Sequence, residues 1–156
     1  MIFVGIDPGK TGAIAVLRHD GVIIGVTKMP TTPKDVWDEI WGIHHDSIEE
    51  KAFIYIEKVG AMPKQGIAST AKFMRGYGIL IGCLAASGIP YDFVAPGVWQ
   101  KAMGCLTGGN KNISKAKAQQ LFPDQKITHV NADALLIAEY GRRHVLSLFG
   151  HEKEKQ

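Results

Sequence analysis

The chain has 156 residues, 18 Lys and Arg against 15 Asp and Glu, a formal net charge of +3 and 46% hydrophobic residues. That length carries one domain with a core that holds without disulfide or metal staples, and the composition excludes disordered, collagen-like and disulfide-framework classes. The two cysteines, Cys83 and Cys105, have no metal-ligand spacing, Met1 opens no basic-then-apolar leader, and the longest apolar run (79–89) is too short to span a bilayer; the expectation is a cytoplasmic protein with no membrane contact. Three strands come first, at 2–7, 13–18 and 22–29, the last two joined by an Asp-Gly hairpin signal at 20–21. Residues 31–46 read as a helix, with Thr32 as cap, Pro33 in the first turn and Val36, Ile40 and Ile43 at helical spacing. A short buried strand at 52–59 is followed by a long helix at 66–87, closed by Gly88 and Pro90. A fifth strand (91–96), a short helix (97–104), a Gly-rich loop (106–112), a basic helix (113–122) and a last helix from about Asn131 to Phe149 complete the order.

Three antiparallel strands and then strands separated by helices predict a mixed five-stranded α/β sheet flanked by helices, the ribonuclease H-like arrangement. The domain is expected to span 1–150, with 151–156 as a disordered tail.

The stretch "GIDPGKTG" (5–12) ends like a nucleotide-binding loop, but its spacing excludes one. A phosphate loop needs four residues between its first Gly and Gly-Lys-Thr and then opens a helix. Here only Ile6, Asp7 and Pro8 intervene, and the alternating "AIAVLR" follows, so no nucleotide cofactor is expected. A Pro-Gly turn leaves Asp7 at the end of a strand. On that strand Phe3, Gly5 and Asp7 share a face, and Gly5 is expected to leave open space beside Asp7.

Glu57 likewise ends the strand "AFIYIE", where an acid is costly to bury unless a cation or donor meets it. Asp133 opens the last apolar helix. Taken singly, each acid has an ordinary explanation as a turn residue, a solvated strand end or a helix N-terminal charge. Taken together, they are three carboxylates arriving from two strand ends and a helix start, a hard oxygen set suited to Mg²⁺ or Mn²⁺. Two such ions can activate water and steady a leaving oxygen in phosphodiester hydrolysis. His129 lies four residues before Asp133; it reads either as surface filler or as a further ligand.

Charge is segregated along the chain. Seven acids stand against two lysines over 33–57, and eight bases against Asp92 alone over 58–123. The basic stretch, with Lys64, Lys72, Lys111, Lys115 and Lys117, fits a polyanionic partner or lysine-solvated helix faces. Within the long helix, Gly78, Gly82 and Ala86 recur one turn apart and suggest close packing, on the chain's own sheet or on a second copy.

"FVGIDPGKTGAIAVL", the Glu of "IYIEKV", "RGYGILIGCLAASGIP" and "NADALLIAEYGRR" resemble, in order and over residues 2–143, the RuvC-type Holliday-junction resolvases, with the nearest likeness to the phage branch and chloroplast relatives. The resemblance implies a homodimer, meeting through Gly78, Gly82 and Ala86, that cuts paired strands of a four-way DNA junction by Mg²⁺-dependent hydrolysis with two ions per site. It implies Asp7 as the bridging ligand, with Glu57 and Asp133 completing the shells and His129 as fourth ligand. Its spacing of four before Asp133 departs from the bacterial three. Where bacterial members carry an aromatic wedge shortly after the catalytic Glu, "KVGAMPKQG" offers Met62. The function expected is a structure-selective DNA endonuclease; the alternatives are a ribonuclease H-like nuclease acting on RNA, flap or other branched substrates, and a non-catalytic junction binder.

Overall fold

A computed structural model describes residues 1–46, 50–60 and 66–153. The strands are β1 (Ile2–Asp7), β2 (Ala13–Arg18), β3 (Ile23–Lys28), β4 (Ala52–Glu57) and β5 (Tyr91–Val94). The helices are α1 (Pro33–Asp46), α2 (Ile67–Ser87), α3 (Pro96–Ala102), α4 (Lys111–Leu121) and α5 (Ala132–Lys153). One sheet runs β3-β2-β1-β4-β5, with β1–β2 and β2–β3 antiparallel and β4 and β5 added in parallel. This is the mixed sheet expected from the element order.

Local chemistry explains the boundaries. In the β1–β2 turn the Gly12 N–H donates to Gly9 O at 2.8 Å, and a Cβ on Gly12 would lie 2.0 Å from Asp7 O, so only glycine closes the turn. Asp20 accepts from the Val22 N–H and pairs with Arg18, shaping the β2–β3 turn around Gly21 at φ 88°. Gly88 ends α2 in the left-handed region at φ 72°. Pro96, expected to end the fifth strand, instead opens α3 at its first turn, where its missing N–H is harmless. Asn110 caps α4 by accepting from the Asn112 N–H at 3.0 Å, so Lys111 is the first helical residue and no longer part of the loop. α5 continues to Lys153, a turn past the Phe149 end expected of the last helix.

The sheet is covered on both faces. Ile2, Val4, Ile6, Ile14, Val16, Ile54 and Ile56 pack under α1 and α2, against Val36, Ile40, Ile43, Leu80 and Leu84. Phe3, Ala15, Leu17 and Tyr55 pack under α5, with Trp99 of α3 and Ala118 of α4 closing the layer. Each fully buried large side chain contributes roughly 1.5–3 kcal/mol.

α5 sits unusually close to the sheet. A Cβ on Gly5 would lie 2.2 Å from both Ala134 O and Ala138 N, and one on Gly141 would lie 2.4 Å from the Tyr55 ring. The space beside Asp7 that Gly5 was expected to leave open is therefore filled by the α5 backbone. At the far end of this contact, buried Glu139 accepts from Arg142 and Arg143, with both Nε atoms at 2.7 Å, and Arg142 also donates to His19 O at 3.0 Å. That network ties α5 to the β2–β3 turn and so sets where its first turn lies.

Candidate active site

β1 and β4 run in parallel with Gly5 opposite Tyr55 and Ile6 opposite Ile56, so Asp7 and Glu57 end adjacent strands side by side. Both lie on the face that α5 covers, because Phe3, Phe53 and Tyr55 of the same alternation pack there. α5 begins at that end of the sheet. With Ala134 seated on Gly5, Asp133 in the first turn is carried to the strand ends. The three carboxylates from two strands and a helix are thus brought together by one backbone contact.

Their electrostatics show the convergence. Burial pushes the Asp7 carboxyl above its ordinary value; the Gly9 N–H, donating to Oδ1 at 3.3 Å, pulls the other way, the charge of Asp133 adds to the rise and Lys111 relieves it. Glu57 is pushed up to about 7, first by burial, then by the charges of Asp7 and Asp133, again with Lys111 opposing. Asp133 is 9% exposed, and its Oδ1 is buried without a hydrogen-bond partner among the described residues. Cys105, buried beside Asp133, has its thiol raised by burial and then by that charge.

Such an arrangement costs stability unless a cation joins it, because each negative charge is desolvated and repelled by the others. An orphaned carboxylate oxygen and two acids held above their ordinary values are the donor set a hard divalent ion fits. Among the described residues no three His, Cys, Asp or Glu side chains are grouped tightly enough to hold one ion, so this is no closed structural-metal cage. Mg²⁺ binds through one or two carboxylates and takes the rest of its shell from water and substrate phosphate, and Asp7 with either neighbour meets that need.

The linkage has a definite sign. The folded Glu57 carboxyl titrates near 7 against an ordinary 4.5, so the stability contributed by its protonated form is complete below 4.5 and is lost as pH rises to 7. The loss is about 3 kcal/mol. In EDTA, the melting temperature of Glu57→Gln should therefore fall less than that of the wild type between pH 4.5 and 8; parallel curves would show that Glu57 is not held as described.

The other expected site residues distribute differently. His129 is exposed in the turn before α5 and does not figure among the groups acting on Asp7 or Glu57. Asn131, just before α5, accepts from Thr128 N and Oγ1 at 2.7 and 3.1 Å and donates to Lys126 O, which ties down the loop that carries His129. Lys115 and Lys117 are half-buried on α4 and Lys72 is exposed on α2. Met62 and Lys64 lie outside the described residues. Lys111 is the residue sequence reasoning placed with phosphates but not with the carboxylates; no spacing in the sequence signals that the start of α4 faces β1 and β4. Gly78, Gly82 and Ala86 lie on the exposed outer face of α2, and a Cβ on either glycine would meet nothing described within 4 Å, so they do not serve packing on the chain's own sheet.

The fold is the one seen in solved RuvC structures. The solved structures similar to the chain include Thermus thermophilus RuvC in complex with a Holliday junction substrate, at 17% identity and TM-score 0.66, covering 90% of this chain and 91% of that one. They also include the Thermus thermophilus RuvC structure, at 18% identity and TM-score 0.63, covering 94% and 97%. No protein-family model and no curated protein sequence matches the chain. Among the described residues no helix is long and apolar enough to cross a membrane.

Proposed function

We propose that the chain is a structure-selective DNA endonuclease that resolves four-way junctions by divalent-metal-dependent phosphodiester hydrolysis. The observation that carries this reading is the mutual action of Asp7, Glu57 and Asp133 at one end of a RuvC-type sheet. The similar RuvC, solved with a Holliday junction substrate, supports the choice of substrate. When bound, Mg²⁺ or Mn²⁺ would supply Lewis-acid activation of water and stabilisation of the leaving oxygen. Asp7 with Glu57 or Asp133 would hold each ion, with His129 proposed as a further ligand. Lys111 would offset the carboxylate charge and receive a phosphate. A binder without chemistry gains nothing from uncompensated carboxylates facing phosphates, which disfavours the non-catalytic alternative.

The test is cleavage of labelled four-way junction, duplex, flap and RNA–DNA hybrid, each with and without Mg²⁺. Paired nicks confined to the junction, and only with metal, are expected; equal cutting of duplex or hybrid would move the protein to another nuclease class.

Lys111, Lys115 and Lys117 are proposed to contact phosphates, and Lys72, Lys64 and Met62 are proposed as further nucleic-acid contacts. Changing the three α4 lysines to Ala should flatten the salt dependence of junction binding by about 0.9 slope units per lost contact. An unchanged slope would return them to solvating the helix.

The proposed assembly is a homodimer through the outer face of α2, where Gly78, Gly82 and Ala86 allow two helices to approach. Each interior glycine costs its helix about 1 kcal/mol relative to Ala, which is consistent with a contact that needs the missing side chain. Gly82→Leu should keep its circular dichroism, because the position is open in the protomer, yet give monomers by light scattering and lose paired incision. A Gly82→Leu dimer that still makes paired cuts would exclude this face.

A further inference from the structure

A second feature lies at the opposite end of the sheet from the carboxylates. Beside the buried stripe of α1, Asp35, Glu39, Gly42 and Asp46 follow one another along one flank. Between that flank and the sheet edge is a groove of about 470 Å³. Buried Ile2 and Val16 form its floor, Ile24 of β3 is 52% exposed at its side, Glu39, Asp46 and Glu50 stand at its rim, and Arg18, whose charge is already met by Asp20, also lines it. Two glycines keep it open: a Cβ on Gly42 would meet nothing described within 4 Å, and one on Gly25 only Val16 at 3.9 Å.

The wall of this groove is an unpaired edge. β3 is the last strand of the sheet and pairs only with β2 among the described residues. Val22, Ile24 and Val26 are 48, 52 and 39% exposed along it. Edge strands are usually blunted by proline, charge or a covering element, and an apolar edge left open is a template for another strand. Glu50 is paired with the Met1 amino group, but Glu39 and Asp46 make no ion pair among the described residues. These acids repel phosphate, so nucleic acid is the wrong occupant. Ile2 and Asp7 are opposite ends of β1, about 17 Å apart at strand rise, so an occupant here leaves the carboxylates free.

We infer that the α1–β3 groove docks an extended segment of a basic partner protein, in which aliphatic residues alternate with Lys or Arg. Such a segment pairs its backbone with the open edge of β3. Residues facing α1 then pass Ile24 to reach Glu39 and Asp46, and the alternate residues fall on the other face of the sheet beside Val26, which pairs with Ala15 there, so a Lys–apolar alternation meets the acids on one face and the open apolar edge on the other. The inference does not depend on the proposed nuclease activity.

The probe is a fluorescein-labelled decapeptide of alternating Lys and Val, with its Glu–Val counterpart as control, titrated into the full chain and followed by anisotropy. Saturable one-to-one binding of the Lys–Val peptide is expected, with no binding of the Glu–Val peptide, and residues 22–26 should gain amide-exchange protection. The Glu39→Lys, Asp46→Lys double variant should weaken binding by about tenfold or more. Gly42→Leu, at an exposed helix position with no neighbour to clash, should fold normally and weaken it similarly. Absence of saturable binding by the wild type, equal affinity of either variant, or unprotected β3 amides would overturn the inference. So would concentration-dependent self-association abolished by Glu39→Lys, which would assign the groove to a second copy of this chain.

Discussion

Asp7→Asn is expected to abolish junction cutting in Mg²⁺ while leaving junction binding within a few-fold of wild type. The amide keeps the size of the side chain and can still accept from the Gly9 N–H through Oδ1, so the β1–β2 turn is preserved. What it loses is the charge that would hold the ion and keep Glu57 and Asp133 working with it. Loss of several kcal/mol of charge stabilisation lowers the rate by roughly three orders of magnitude. Binding, which rests on cationic contacts to phosphates, has no need of Asp7. Without metal the same change removes one desolvated, repelled charge, so the variant should melt higher than wild type in EDTA. Near wild-type cutting by Asp7→Asn would remove these carboxylates from the chemistry. A lower melting temperature in EDTA would show instead that they are not strained against one another.

Gly5→Ala should cause the largest loss of stability from a single methyl group. The added carbon would fall 2.2 Å from Ala134 O and Ala138 N and 2.8 Å from Ala138 Cα, all backbone atoms of a helix that cannot yield by a rotamer change. α5 must lift from the sheet, at a cost of about 3 kcal/mol or more. For a chain of this size that is a fall of roughly 6–12 °C in melting temperature. Because Asp133 rides on the first turn of α5, metal-dependent activity should fall as well, even at temperatures where the variant is folded. Gly82→Ala, the same chemical change at an open helix position, should instead stabilise the protomer by about 1 kcal/mol. Equal melting temperatures for Gly5→Ala and wild type would mean that α5 does not rest on Gly5, and the explanation of the site would fail with it.

The local grammar of the chain was legible without coordinates because short-range forces write it. Alternation marked β2, the spacing of Val36, Ile40 and Ile43 marked α1, and Gly88 marked the end of α2, each within a few residues of where it forms. The order of those elements carried the sheet topology, since antiparallel neighbours need only a turn and parallel ones need a helix. Asp7, Glu57 and Asp133 stood out because an acid at the end of an apolar run is expensive wherever it lies. Their meeting was a different matter. It depends on Gly5 against Ala134 and Ala138, a contact across more than a hundred residues of chain, and Gly5 read alone suggested empty space where the helix sits. Lys111 beside the carboxylates, His129 on an exposed turn and the unobstructed outer face of α2 were likewise decided by how helices seat on the sheet. Close packing is a relation between distant surfaces, and no window of sequence contains both of them.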